Sequence, residues 1–182
     1  MTDQFIHCAA IQQATKKHFH ITYICAHNQD HQRQLLWEVL QQNALSIQGA
    51  WCLLGDFNTI LSKEGRYGGN EIVDHDIQEL FNFMANYEVM EMPSSGAFFT
   101  WTNKTLWSKI DRVFINSSWH EEFDYTLAKF LPLGCLITPR SSFSSMSPQS
   151  LPLTSNSVIC GAHIRIFRTS FLPIYQTPTA LP

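Results

Sequence analysis

The chain has 182 residues, 45 % of them hydrophobic, enough for one domain or most of one. Its net charge of −3 lacks the basic footprint of a dedicated nucleic-acid binder, but leaves room for a nuclease that grips its substrate through a bound cation. No apolar stretch approaches the ~20 residues that cross a bilayer, and the opening MTDQFIHCAA lacks the basic start and long apolar run of a signal peptide.

Residues 1–133 carry periodic apolar patterns, whereas residues 134–182 are rich in Ser, Thr and Pro and show little periodicity. Residues 19–26 (FHITYICA) are rich in strand formers and predict a strand. Asp30 is a candidate N-cap for a helix over 31–43, in which Leu35, Leu36, Val39 and Leu40 recur at helical spacing. Residues 50–54 (AWCLL) form a short apolar run typical of a buried strand. Residues 65–70 (GRYGGN) predict a loop. Asp74 stands near the start of a second helix, with Ile77, Leu80, Phe81 and Met84 on one face. Residues 97–102 and 106–115 predict two strands joined by a turn at Asn103-Lys104. Ser117 or Ser118 can cap a short helix through Phe123. The alternation of strands and helices predicts a layered α/β domain.

The five cysteines, Cys8, Cys25, Cys52, Cys135 and Cys160, form no C-x-x-C pair, so neither a zinc ribbon nor a redox motif is expected. The pattern fits a reducing, intracellular compartment. His18 and His20 alternate on a strand and His27 and His31 are four apart. Either pair can bind a metal, but without Cys or carboxylate support they are expected to be solvated surface residues.

Three segments carry candidate chemistry. Gly55-Asp56-Phe57-Asn58 directly follows the buried strand. In an extended segment Asp56 and Asn58 point the same way, and a carboxylate beside an amide can hold an attacking water and a phosphate oxygen. The same residue types also favour a plain strand-end turn. In Ser108-Lys109-Ile110-Asp111-Arg112, strand alternation sends Asp111 to the face opposite Ile110. Taken alone, that segment is better explained by a cross-strand ion pair on a solvated face. Thr100-Trp101-Thr102-Asn103 lies at a strand end, where a Trp is either core or a substrate platform.

Taken in order, LLGDFN at 53–58, S-x-G-x-F-F-T-W-T-N at 94–103 and W-S-K-I-D-R-V at 107–113 resemble the endonuclease/exonuclease/phosphatase superfamily. More narrowly, they resemble the C-terminal part of the endonuclease domain of plant LINE-type (non-LTR) retrotransposons. The resemblance runs from near residue 3 to Gly134. It implies an incomplete DNase I-like layered α/β sandwich, two β-sheets flanked by helices, over residues 1–134. It also implies a DNA substrate and a Mg²⁺ (or Mn²⁺) cofactor that neutralises phosphate charge. By resemblance, the catalytic residues are Asp56, which positions the attacking water, Asn58, which contacts the phosphate, and Asp111, which orients a catalytic His. Asn28, Thr100, Trp101, Asn103, Ser108 and Arg112 are the substrate- or DNA-contacting residues. No stable protein partner and no membrane are expected.

The chain departs from the family pattern. The family site also uses an Asn and a metal-binding Glu from earlier in the domain, and no Glu here matches that motif, so no metal ligand is assigned and cofactor binding is expected to be weak or absent. Where the family has Tyr before A-x-N, Cys25 precedes Ala26-His27-Asn28, and a thiol lacks the reach of a phenol. After Phe130-Leu131-Pro132-Leu133-Gly134 the family continues Ser-Asp-His-Ser-Pro; this chain continues Cys135-Leu136-Ile137-Thr138-Pro139-Arg140. The genetic code offers an account. Taking the third base of each codon with the first two of the next permits Leu-Ser-Asp-His-Ser-Pro. The same frame over residues 156–167 permits Phe-Cys-Asn-Met-Trp-x-x-His-Pro-Asp-Phe, which resembles the segment that follows this domain in such elements.

These agreements predict a frameshift near Gly134, an inactive enzyme remnant, and a Ser/Pro-rich, poorly ordered tail over 135–182; the alternatives are a residual Mg²⁺-dependent nuclease and a non-catalytic fragment that binds nucleic acid or a protein. Sequencing the locus tests the frameshift: the shifted frame is expected to encode Asp-His at this point, and a coding DNA without those codons refutes it.

Overall fold

A computed structural model of the protein describes residues 3–12, 15–123, 125–132 and 164–168. The elements follow in chain order as β1 (Phe5–Ile11), β2 (His18–Cys25), α1 (Asp30–Ala44), β3 (Ala50–Asp56), a single 3-10 turn (Lys63–Gly65), β4 (Arg66–Tyr67), α2 (Asp74–Tyr87), β5 (Val89–Glu91), β6 (Ser94–Gly96), β7 (Trp101–Thr102), β8 (Trp107–Ser108), β9 (Asp111–Asn116), α3 (Ser117–Glu122), β10 (Thr126–Phe130) and β11 (Ile164–Arg168). The central sheet has the order β1-β2-β3-β9-β5, a second sheet β11-β10-β6, and a third, small sheet β4-β8-β7. This is the mixed α/β sandwich that the sequence predicts.

β3 sits at the middle of the central sheet, parallel to β2 and antiparallel to β9. A parallel neighbour needs a crossover, and α1 supplies it. Being central, β3 is apolar on both faces. Ala50, Cys52 and Leu54 join Phe19, Ile21, Tyr23, Val113 and Ile115 on one face, where α3 and β10 cover them through Trp119, Phe123, Ala128 and Phe130. Trp51 and Leu53 join Ile24 and Phe114 on the other, beneath Leu36 and Leu40 of α1 and Leu80 and Phe83 of α2. The layers are therefore helices, central sheet, second sheet.

Several local expectations are corrected. Leu35 and Phe81 are exposed at 45 % and 58 %, while Arg33 and Phe83 turn inward; a one-residue error in phase moves a side chain about 100° around a helix. Residues 106–115 do not form one strand: Trp107–Ser108 belongs to the small sheet and Asp111–Asn116 to the central one. Of residues 97–102 only Trp101–Thr102 is strand, and Arg66–Tyr67 pairs with β8 within the expected loop. α1 begins after Gln29, with Asp30 in its first turn. The cap of α3 is Asn116, whose side chain accepts the Trp119 N–H at 2.9 Å. β1 has no counterpart in the sequence reading. The expected tail of residues 135–182 lies outside the described residues except for β11, which pairs antiparallel with β10. Among the described residues no helix is long and apolar enough to cross a membrane.

Gly55 allows a close approach between β2 and β3. Its φ is +135°, and a Cβ there would stand 2.0 Å from the Ile24 carbonyl oxygen. We predict that Gly55→Ala destabilises the fold by about 3 kcal/mol, whereas Phe81→Ser stays within about 0.5 kcal/mol of the parent. Denaturant midpoints of the full chain check this; a Gly55→Ala variant as stable as the parent contradicts the close approach.

Candidate active site

β2, β3 and β9 place three residues in one row at the end of the sheet. Cys25 pairs with Asp56, and Asp56 pairs with Asp111. Paired residues share a face, so all three continue the row above, Tyr23, Leu54 and Val113, on the side facing the second sheet. Apolar side chains thus give way to acids where β2 and β3 both end. Phe57 donates its N–H to the Ile110 carbonyl at 2.9 Å. Alternation along an antiparallel ladder then makes Asp56 and Asp111 a non-hydrogen-bonded pair, with Cα atoms about 4.5 Å apart and side chains close together.

The GDFN segment is a turn and a site at once. Asn58 has a φ of 48°, a left-handed conformation that Asn tolerates. Its backbone N–H donates to Asp56 Oδ1 at 2.8 Å, and its Nδ2 donates to the Ala26 carbonyl at 2.7 Å and to Asp56 Oδ2 at 3.3 Å. The two side chains therefore meet because the chain turns back, not because an extended strand aims them alike. Ala26 in turn donates its N–H to the Asp56 carbonyl at 2.8 Å, so the ends of β2 and β3 are laced together.

Asp111 is 5 % exposed, which rules out the solvated-face ion pair. The hydroxyl of Thr100 accepts the N–H groups of Ile110 and Asp111 at 3.2 and 3.0 Å. Burial pushes the Asp56 carboxyl up to about 6, opposed by the Asn58 N–H and by Arg33. Burial, and then the neighbouring Asp56, push Asp111 up to about 7, opposed by its hydrogen bond with Thr100.

The other expected residues are spread around this centre. Asn28 is exposed and lines a polar cavity beside Asn58, shared with Arg33, Thr59, Arg66, His75 and Glu79. Trp101 is 40 % exposed on the small sheet. Asn103 shapes the turn after β7, its Oδ1 accepting the N–H groups of Thr105 and Leu106 at 3.1 and 2.8 Å. Ser108 is buried, its carbonyl accepting the Thr100 N–H at 3.0 Å. Arg112, next to Asp111, points to the opposite face, where it is buried against Glu91 at 3.0 Å. The structure thus gathers Asp56, Asn58, Asp111 and Thr100, puts Asn28 at the margin, and leaves Trp101, Asn103, Ser108 and Arg112 outside the cluster.

Two arginines of the cavity carry no signal in the sequence motifs. Arg33 donates to Glu79, to Asp30 and to the carbonyls of His27 and Asn28, which holds the loop carrying Asn28. Arg66 has a buried Nε with no hydrogen-bond partner. Neither lies in a motif; an Arg at the core-facing phase of a helix was the one available signal for Arg33.

Among the described residues no group of three or more His, Cys, Asp or Glu converges to hold a metal ion. The Asp56–Asp111 pair offers hard carboxylate oxygens, and Mg²⁺ accepts one or two carboxylates with water filling its shell. The donor set therefore fits such a cation only through these two side chains.

The sequence model of the Endonuclease/Exonuclease/phosphatase family matches residues 5–141. No curated protein matches the chain. Among solved structures it is similar to the endonuclease domain of TRAS1, a telomere-specific non-LTR retrotransposon, with a TM-score of 0.51 and 13 % identity over 69 % of this chain and 54 % of that one. A beta toxin from Staphylococcus aureus gives a TM-score of 0.48 and 13 % identity over 70 % and 47 % of the two chains. The chain spans about half the length of these structures. At such identity the likeness concerns the fold, which is DNase I-like. The family match covers most of the sequence, and it includes every residue gathered in the site: the chain belongs to the endonuclease/exonuclease/phosphatase family.

Proposed function

We propose that the chain is a retrotransposon-derived fragment of a Mg²⁺-dependent DNA endonuclease whose phosphodiester-cleaving site is incomplete and catalytically inactive. Family membership supports the ancestral phosphodiesterase chemistry, and the three motifs in order support the retrotransposon origin. The observation that carries inactivity is the composition of the strand-end row: the buried Asp111, the half-buried Asp56 and Cys25, with no third acid or His joining them among the described residues.

In the ancestral reaction a bound cation neutralises charge on the phosphate. Within this chain, Asp56 is the group that would orient the attacking water. Asn58, already tied to Asp56 and Ala26, would hold a phosphate oxygen. Asp111 would orient a His, but the stretch after Phe130-Leu131-Pro132 contains no Asp-His. Such groups act as a unit, so losing a few removes nearly all of the rate. The exposed Trp101 and Trp107 rings favour a second reading, a non-catalytic fragment that still binds nucleic acid.

Two predictions follow the acids. An unfolded Asp titrates near 3.9, and here the folded values lie higher, near 6 and 7. The folded state therefore holds more protons between about pH 4 and pH 7, and stability contributed by these acids is full below that window and lost as pH rises through it. Asp111→Asn is expected to leave the Tm unchanged below pH 4 and to raise it by roughly 5 °C at pH 7.5. Melting curves across the range check the sign; a difference that shrinks with rising pH contradicts it.

The second is direct. With Mg²⁺ and supercoiled plasmid, the chain is expected to nick no faster than Asp56→Ala. Nicking that disappears in Asp56→Ala overturns the inactive reading. Salt-dependent DNA binding without nicking instead favours the binding fragment.

A further inference from the structure

A second polar cluster lies away from the strand-end acids, on the helix-facing side of β1 and β2. β1 pairs His7 with Thr22 and Ala9 with His20, so the two imidazoles are diagonal neighbours on one face. His7 Nε2 and His20 Nδ1 stand 3.2 Å apart. The other nitrogen of His7, Nδ1, is 2.8 Å from Thr22 Oγ1. That hydroxyl also accepts the indole N–H of Trp51 at 2.8 Å. Thr22 and Trp51 are 1 % and 3 % exposed, so the anchor of the cluster is rigid. The two rings themselves are half-buried and open on one side to solvent.

We propose that His7 and His20 form a binding site for a borderline divalent transition-metal ion, with His7 Nε2 and His20 Nδ1 as its two protein ligands and water completing the shell. The spacing fits: two Zn–N bonds of 2.0–2.1 Å at a tetrahedral angle put their nitrogens about 3.3 Å apart. The rings are stacked, with planes within 21° of each other, so ligation requires both rings to rotate until their in-plane lone pairs meet at one ion. Thr22 supplies the outer contact that metal-binding histidines use. A proton on His7 Nδ1 goes to the Thr22 oxygen, leaving Nε2 with a bare lone pair. Imidazole nitrogen selects Zn²⁺, Ni²⁺ or Cu²⁺ over Mg²⁺, so this site and the Asp56–Asp111 pair prefer different ions. His18, exposed two residues along β2, and His31, also exposed, have no such buried anchor, and the exposed His27 meets the still more exposed Asp3 at 3.4 Å.

The test is calorimetric titration of the tag-free full chain with Zn²⁺, in the presence of excess Mg²⁺. One Zn²⁺ per chain is expected, with binding lost in both His7→Gln and His20→Gln and weakened about tenfold in Thr22→Val, which removes the outer contact. Asp56→Asn is expected to bind Zn²⁺ like the parent. Circular dichroism checks that each variant folds; if His7→Gln does not, the half-exposed His20→Gln decides alone. A parent that takes up no Zn²⁺ overturns the proposal, as does affinity that survives His20→Gln or that follows Asp56→Asn.

Discussion

Two carboxyl groups held side by side and largely out of water are the constraint around which this end of the molecule is organised. Asp56 and Asp111 occupy a non-hydrogen-bonded pair between β3 and β9, where side chains approach most closely. Among the described residues, no Lys or Arg forms a salt bridge with either acid. The surroundings answer with oriented dipoles instead: the Asn58 N–H on Asp56, and the Thr100 hydroxyl, which gathers the backbone and carboxyl of Asp111. That support is partial, and burial raises both groups above the usual carboxylate range. A fold that keeps such a pair carries a stability cost above neutral pH.

The rest of the structure makes that adjacency unavoidable. β3 is bonded on both sides and apolar on both faces, so its register cannot slip without moving Leu54 and Leu53 to the wrong cores. Fixing β3 fixes Asp56 one step beyond Gly55, and pairing with β9 fixes Asp111 opposite it. Gly55 permits the close approach of β2, which brings the Ala26 carbonyl within reach of Asn58.

Buried ions brace the flanks. Arg33 of α1 reaches Glu79 of α2, and the Trp37 indole donates to the same carboxylate, which ties the two covering helices together. On the far side of β9, Glu91 receives both Arg112 and Lys109 at 3.0 and 2.8 Å. Buried pairs of this kind add little net stability compared with apolar packing, but removing one partner strands a charge. Arg112 illustrates the consequence for function: a charged residue beside a motif Asp looks like a substrate contact, yet strand alternation sends its side chain into the fold.

The sequence by itself determined the family, the layered α/β class, β2, β3 and the two long helices, because these rest on local signals: strand formers in a run, apolar residues at helical spacing, and a strand followed by Gly-Asp-Phe-Asn. It also placed Asp56 and Asn58 at one strand end, though the left-handed turn at Asn58, not strand alternation, brings their side chains together. Only the tertiary structure decided that Asp111 stands beside Asp56, 55 positions away, because that depends on which strands pair and in what register. The tertiary structure likewise broke residues 106–115 between two sheets, turned Arg33 and Phe83 inward in place of Leu35 and Phe81, and set His7 against His20. Each of these outcomes is a contact between residues distant in the chain, and local propensity carries no information about such partners.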